Sequence, residues 1–203
     1  MPTFINYDLP SRSASYSFIQ GIPYIDYRPI DLTNYDYSLG GNHHITYLSH
    51  VLEHLSYESV LILLKKLTHS SKIIRIAAPD QEQVARRLLD ILSTQDNEVK
   101  DQDTCLLELG LNSEVYYLAK EVNHCLLYCT YEQAKIYLDI AIKTSDKNTI
   151  DKNLIILLQD MEKEFVSKYS EMLNPSSHIS FWSISRFKYL LTNSPEKSIT
   201  CVP

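Results

Sequence analysis

The chain has 203 residues, of which 44% are apolar and 22% charged, and carries a formal charge of −6 with an isoelectric point near 5.6. Those figures suit one globular domain with an appended part. The acidic balance speaks against a general electrostatic grip on nucleic acid, and no apolar run reaches the ~18–20 residues of a membrane span.

Taken in chain order, Phe4–Leu9 is a strand candidate closed by Pro10, and then comes the Ser-rich loop Ser11–Ser17. Tyr24–Arg28 alternates in character and ends at Pro29, which makes a second strand candidate. Asn34–His44 is turn-like around Gly40-Gly41-Asn42. Ile45–Ser49 is a short apolar run with the length of a buried strand. Ser56 is placed to cap a helix, Glu58 suits its positive first turn, and Lys65 and Lys66 suit its last. Val60, Leu63, Leu64 and Leu67 share one face of that helix. Lys72–Ala78 is short and β-branched, and Pro79 stops it. Asp80 with Gln83 forms a variant capping box for a helix over Gln81–Ser93, with Val84, Leu88, Ile91 and Leu92 on one face. Strand, helix, strand implies a right-handed crossover in a parallel sheet.

Thr94–Asp103 is strongly polar and marks a boundary, dividing an α/β core over 1–95 from a mainly helical part over 104–203. Helices are expected at Ser113–Leu127, Tyr131–Lys143 and Asp151–Leu173, the last with Ile155, Leu158, Met161, Phe165 and Tyr169 along one stripe. Pro175 breaks the chain, Phe181–Leu191 is a short amphipathic helix, and Ser198–Val202 suits a last strand. Cys125 and Cys129 sit four apart beside His124, a spacing open to a metal, but Cys105, Cys125, Cys129 and Cys201 contain no Cys-x-x-Cys pair. Buried reduced thiols are expected, with no metal. The N-terminus shows no basic region preceding an apolar core, so a cytoplasmic location is expected.

The stretch from Tyr47 to Asp80 resembles the central block of class I S-adenosylmethionine-dependent methyltransferases, most closely the small type 11 group. The run Ser49-His50-Val51-Leu52-Glu53-His54-Leu55 is similar to the end of that group's fourth strand, and Arg75, Ile76, Pro79 and Asp80 to the end of its fifth. Phe4–Leu9 resembles the second strand and Ile30–Leu32 the exit of the third. The resemblance implies a partial Rossmann-like, mostly parallel α/β sheet with helices. It implies S-adenosylmethionine as cofactor and a small molecule, sugar or glycan as methyl acceptor. Asp8 would hold the ribose hydroxyls, Asp31 would lie near the adenine, and Ser49 would line the cofactor site. His50 would be the catalytic base or positioning group. Glu53, His54 and Asp80 would lie toward the acceptor, as would His178 and Trp182, which occupy the place of a late aromatic segment in the family.

The family also has a first strand that runs into a glycine-rich loop, because a backbone approaches a ligand that closely only without a Cβ. Here the glycines are Gly21, Gly40, Gly41 and Gly110, and none comes after an N-terminal strand in a Gly-x-Gly arrangement. Both ends look trimmed relative to a working methyltransferase. Two readings are open: a methyltransferase, its cofactor site degenerate or completed by another chain, and a non-catalytic fold used for binding or assembly with a protein partner or a second copy. A third reading comes from His50-x-x-Glu53-His54, the inverted zincin pattern of zinc hydrolases. It needs both histidines on one helical face, Glu53 as base, and a distant carboxylate ligand such as Glu114 or Glu121.

Overall fold

The computed structural model of the chain describes residues 4–7, 25–27, 43–95, 104–108, 113–146, 151–174 and 176–193. It divides into two compact units, Met1–Pro79 and Asp80–Pro203.

The first unit is built on four parallel strands: β1 (Phe4–Tyr7), β2 (Ile25–Tyr27), β3 (His43–Ser49) and β4 (Ser71–Ala77). Their order across the sheet is β2-β1-β3-β4. β1 is bonded to β2 on one side and directly to β3 on the other, with Phe4 opposite Ile45 and Tyr7 opposite Leu48. The β3–β4 ladder runs from His43 opposite Ser71 to Ser49 opposite Ala77. Along β3 the pleat separates two environments: Thr46 and Leu48 are fully buried, while Tyr47 and Ser49 are half-buried. Tyr47 and Arg75 are register partners, and the guanidinium lies 5.6 Å from the ring centroid.

Between β3 and β4 lies α1 (Tyr57–Ser70). Its start is chemically marked, since the Ser56 hydroxyl accepts from the Ser59 amide at 3.2 Å. Tyr57, Val60, Leu63, Leu64 and Leu67 form its buried face, which is the expected stripe with one residue added. The residues between β3 and α1 make a separate 3-10 turn, Leu52–His54.

The second unit contains α2 (Gln81–Gln95), α3 (Ser113–Val122), α4 (Tyr131–Lys143), α5 (Lys152–Lys168) and α6 (Ile184–Asn193). The Asp80 carboxylate accepts from the Gln83 amide at 3.4 Å, one half of the expected capping box. Although the polar stretch after it suggests a boundary near residue 96, α2 is grouped with the later helices. Its Ala85, Leu88 and Leu92 are wholly buried in one apolar cluster with Ala119, Val122 and Leu138. The helix expected over 113–127 ends at Val122, because the Asn123 side chain accepts from the Cys125 amide at 2.9 Å and starts a 3-10 turn, His124–Tyr128. α4 has a full capping box, with Thr130 and Gln133 bonded reciprocally at 3.2 Å. α5 is capped by Asp151 and stops at Lys168, short of the expected Leu173, where a further 3-10 turn, Ser170–Met172, takes over. α6 begins at Ile184, where the Ser183 hydroxyl accepts from the Arg186 amide at 3.1 Å, while the Phe181 and Trp182 amides donate to Glu162 and Gln81 outside the helix. The strand expected at Ser198–Val202 lies outside the described residues.

Two polar hubs are sealed inside this unit. Glu162 and Arg186 form a bidentate pair at 2.7 and 2.8 Å with both side chains almost wholly buried. Glu162 also accepts from Tyr137 Oη at 3.2 Å and from the Phe181 amide at 2.8 Å. The Arg186 guanidinium lies 5.1 Å from the Trp182 ring and donates to the Phe181 carbonyl. Gln81 is the second hub: its amide donates to the carbonyls of Glu121 and Val122 at 3.0 Å and accepts from the Trp182 amide at 2.6 Å. Burial without such partners costs each polar group about 1–3 kcal/mol, so these bonds are what permit them in the core.

Candidate functional site

In the first unit, chain progression reverses between β1 and β3. The chain steps outward from β1 to β2, then returns past β1 to β3 and continues outward to β4. Ligands of open α/β sheets bind outside the carboxyl ends of the strands at such a reversal. At that point Tyr7 ends β1 opposite Leu48, and β3 runs on through Ser49 into His50.

His50 has φ of 53°, the positive-φ non-glycine residue among those described. A histidine in the left-handed region is uncommon, and such backbone clusters at sites where a side chain must be aimed. Its amide donates to the Ala77 carbonyl at 2.9 Å, extending the β3–β4 ladder by one bond before the chain turns. The next turn, Leu52–His54, brings Glu53 back to the His50 imidazole. His50 Nδ1 lies 3.2 Å from Glu53 Oε1, and His54 Nε2 lies 3.9 Å from the same oxygen. The side chains of Glu53 and His54 are buried, whereas 45% of the His50 side chain is exposed. One carboxylate oxygen therefore faces two imidazoles, one of them offered to solvent. Such a set can hold an imidazole in one orientation.

Of the residues expected at a site, His50, Ser49, Glu53 and His54 are gathered at this edge, because a strand end and one tight turn hold all four. Asp8 and Asp31 lie outside the described residues. The remaining three belong to the second unit and have structural partners there. Asp80 is exposed and caps α2. His178 is buried, with Nδ1 2.8 Å from the Glu121 carbonyl and its amide donating to His124 Nδ1 at 3.0 Å. Trp182 is buried and donates from its indole to Ser180 Oγ at 2.8 Å.

The helix that an inverted zincin pattern requires is not formed over 50–54. His50 belongs to a strand exit and His54 to a 3-10 turn, so the two histidines do not share a helical face. The distant carboxylates offered for it lie on α3, where Glu114 is exposed and pairs with Arg87 at 3.1 Å and Glu121 is exposed.

Cys125 and Cys129 are not on a common α-helical face either, since the first lies in the 3-10 turn and the second ends it. Both are free and wholly buried, and burial pushes both thiols up to about 12. Cys129 donates to the Cys125 carbonyl at 3.3 Å. Thiols so placed are inert at neutral pH. Burial, and then the negative charge of Glu162, raises the Tyr137 phenol well above its ordinary value and keeps it a donor.

Comparison of the chain with protein-family profiles, with curated proteins and with solved structures finds no match. Sequence reasoning missed Gln81, Asn123, Glu162 and Arg186. The available signal was a polar residue at an apolar position of a helical stripe: Glu162 four residues after Leu158, and Arg186 four before Leu190.

Proposed function

We propose that this is a methyltransferase-like α/β protein that keeps the acceptor edge of that fold while its cofactor site is degenerate. It binds a small molecule, sugar or glycan at the carboxyl edge of β3, where His50 presents its imidazole and Glu53 orients it. The observation that carries this reading is the strand order. A Rossmann sheet runs 3-2-1-4-5, and removing strand 1 leaves 3-2-4-5. The observed β2-β1-β3-β4 is that order if β1 corresponds to the family's second strand and β3 to its fourth.

The same observation bears on S-adenosylmethionine. The family's glycine loop comes after the strand between the second and fourth, and here β1 and β3 are hydrogen-bonded to each other along their length. The residues described do not make a cradle for the methionine part of the cofactor, and no step through it is derived. What remains is recognition: an exposed imidazole at a strand edge, with Ser49 beside it, suits a hydroxyl-bearing ligand through directional hydrogen bonds.

Calorimetric titration with S-adenosylhomocysteine tests the reading. Absence of saturable binding at millimolar ligand is the expected result. Binding at micromolar strength would overturn the degenerate site and favour an active methyltransferase with a cofactor site built in another way. A screen of hydroxylated ligands, monitored by the His50 imidazole signals in NMR, then identifies what the edge accepts.

A further inference from the structure

Resting on that reading of the β3 edge, we propose that its ligand is an anion: a hydroxylated small molecule whose carboxylate or phosphate group is bound by Arg75. The pleat places Tyr47 and Ser49 on one face of β3, both half-buried. Register sets Arg75 beside Tyr47 and Ala77 beside Ser49, so Arg75 shares that face and stands diagonally from Ser49. Spacings of ~4.8 Å between strands and ~3.3 Å per residue put the Cα atoms of Arg75 and Ser49 roughly 8 Å apart. The guanidinium lies 5.6 Å from the Tyr47 ring centroid, reaching from β4 toward β3. Ser49 runs directly into His50. Guanidinium, hydroxyl and imidazole thus follow one another along a stretch that a sugar with one ionised substituent can span.

The pairing of the arginines carries the inference. Among the described residues, Arg86, Arg87 and Arg186 each meet a carboxylate, on Glu82, Glu114 and Glu162. Arg75 is exposed, and among the described residues its guanidinium meets the Tyr47 ring and no carboxylate. A ring contact uses no hydrogen-bond acceptor, so the planar fork is left to take carboxylate or phosphate oxygens two at a time. The same contact restrains a long side chain and lowers the ordering cost of binding. A net charge of −6 repels an anion at a distance, so a preference for a charged ligand has to come from a local cation. The buried Glu53 carboxylate lies past the strand end, beside His50. The ionised group therefore belongs at Arg75, and the ligand hydroxyls at Ser49 and His50.

The test titrates the full chain with D-glucuronate, glucose 6-phosphate and D-glucose at constant ionic strength. Binding is followed by the His50 imidazole and Tyr47 ring signals in NMR. At least one of the two anions is expected to bind about 10-fold or more tightly than glucose, and the tighter one assigns the group as carboxylate or phosphate. Arg75→Gln is expected to abolish that preference and leave glucose affinity unchanged. Arg75→Lys is expected to restore part of it, because an ammonium supplies charge without the fork. Lys72→Gln removes the same charge from an exposed position on the other face of β4 and is expected to change nothing. Equal affinity for the three sugars overturns the anion inference and leaves the hydroxyl-binding reading standing. An anion preference that survives Arg75→Gln does the same, as does one that Lys72→Gln abolishes equally. Silence of the His50 signals with all three probes at tens of millimolar overturns both. Circular dichroism checks the fold of each variant, which the exposure of Arg75 and Lys72 is expected to preserve.

Discussion

At His50 the chain keeps a bulky side chain on a backbone that glycine would occupy at lower cost. The left-handed conformation costs an ordinary residue ~1–2 kcal/mol relative to glycine. His50→Gly is therefore expected to stabilise the protein by up to about 1 kcal/mol in urea unfolding, and His50→Val to destabilise it by about 1–2 kcal/mol. A glycine variant no more stable than the wild type would mean that the ring's contact with Glu53 offsets the backbone cost. The pattern His-x-x-Glu-His was visible in the sequence, but its geometry was not. Sequence spacing places residues 50 and 54 together only on a helix, and the strand runs through Ser49 before the chain turns.

The cysteines make a second prediction at the same scale. With thiols raised to about 12, Cys125 and Cys129 hold roughly one thiolate in ten thousand at pH 8. Iodoacetamide at pH 8 is expected to leave both unmodified in the native protein and to label both in urea, as read by peptide mass spectrometry. Native labelling of either would contradict their burial. Their reduced, buried state was legible from composition. Their place in a 3-10 turn was not, because Asn123 decides it by capping that turn with its own side chain.

Among the elements, β3, α1, β4, α2 and α4 were legible almost residue by residue. Each combines a local start signal with an uninterrupted apolar period, as Ser56 and Thr130 show. α5 was legible as a helix but not in its contents. The expected stripe placed Met161 inside, whereas the structure buries Glu162 and leaves Met161 half-buried. Either residue satisfies helical spacing after Leu158, and Arg186 on α6, with Tyr137 Oη and the Phe181 amide, makes a carboxylate tolerable there. Breaking this pair by Arg186→Met is expected to cost about 3–5 kcal/mol, because Glu162 is left charged and buried. Glu162→Gln combined with Arg186→Met is expected to cost less than the sum of the two single changes. Strict additivity in a double-mutant cycle would show that the two do not interact.

For the whole molecule, charge leads to a plain expectation. At −6, the protein is expected to give no change in fluorescence anisotropy with a labelled single-stranded DNA at physiological salt. Saturable binding there would require a local basic patch strong enough to overcome the net repulsion. Among the described residues no helix is long and apolar enough to cross a membrane.

Local sequence was enough for the strand–helix–strand unit over 43–77, the mainly helical character of the described residues between 81 and 193, and the capping residues that start those helices. These depend on neighbours within a few positions, where periodicity and side-chain chemistry act directly on the backbone. Only the tertiary structure decided that β1 pairs with β3, that one carboxylate oxygen meets two imidazoles, and that Gln81 and Glu162 are core residues. Strand order is a choice among distant partners with similar local preferences, and a buried polar group is tolerated or excluded only by the groups the fold brings to meet it.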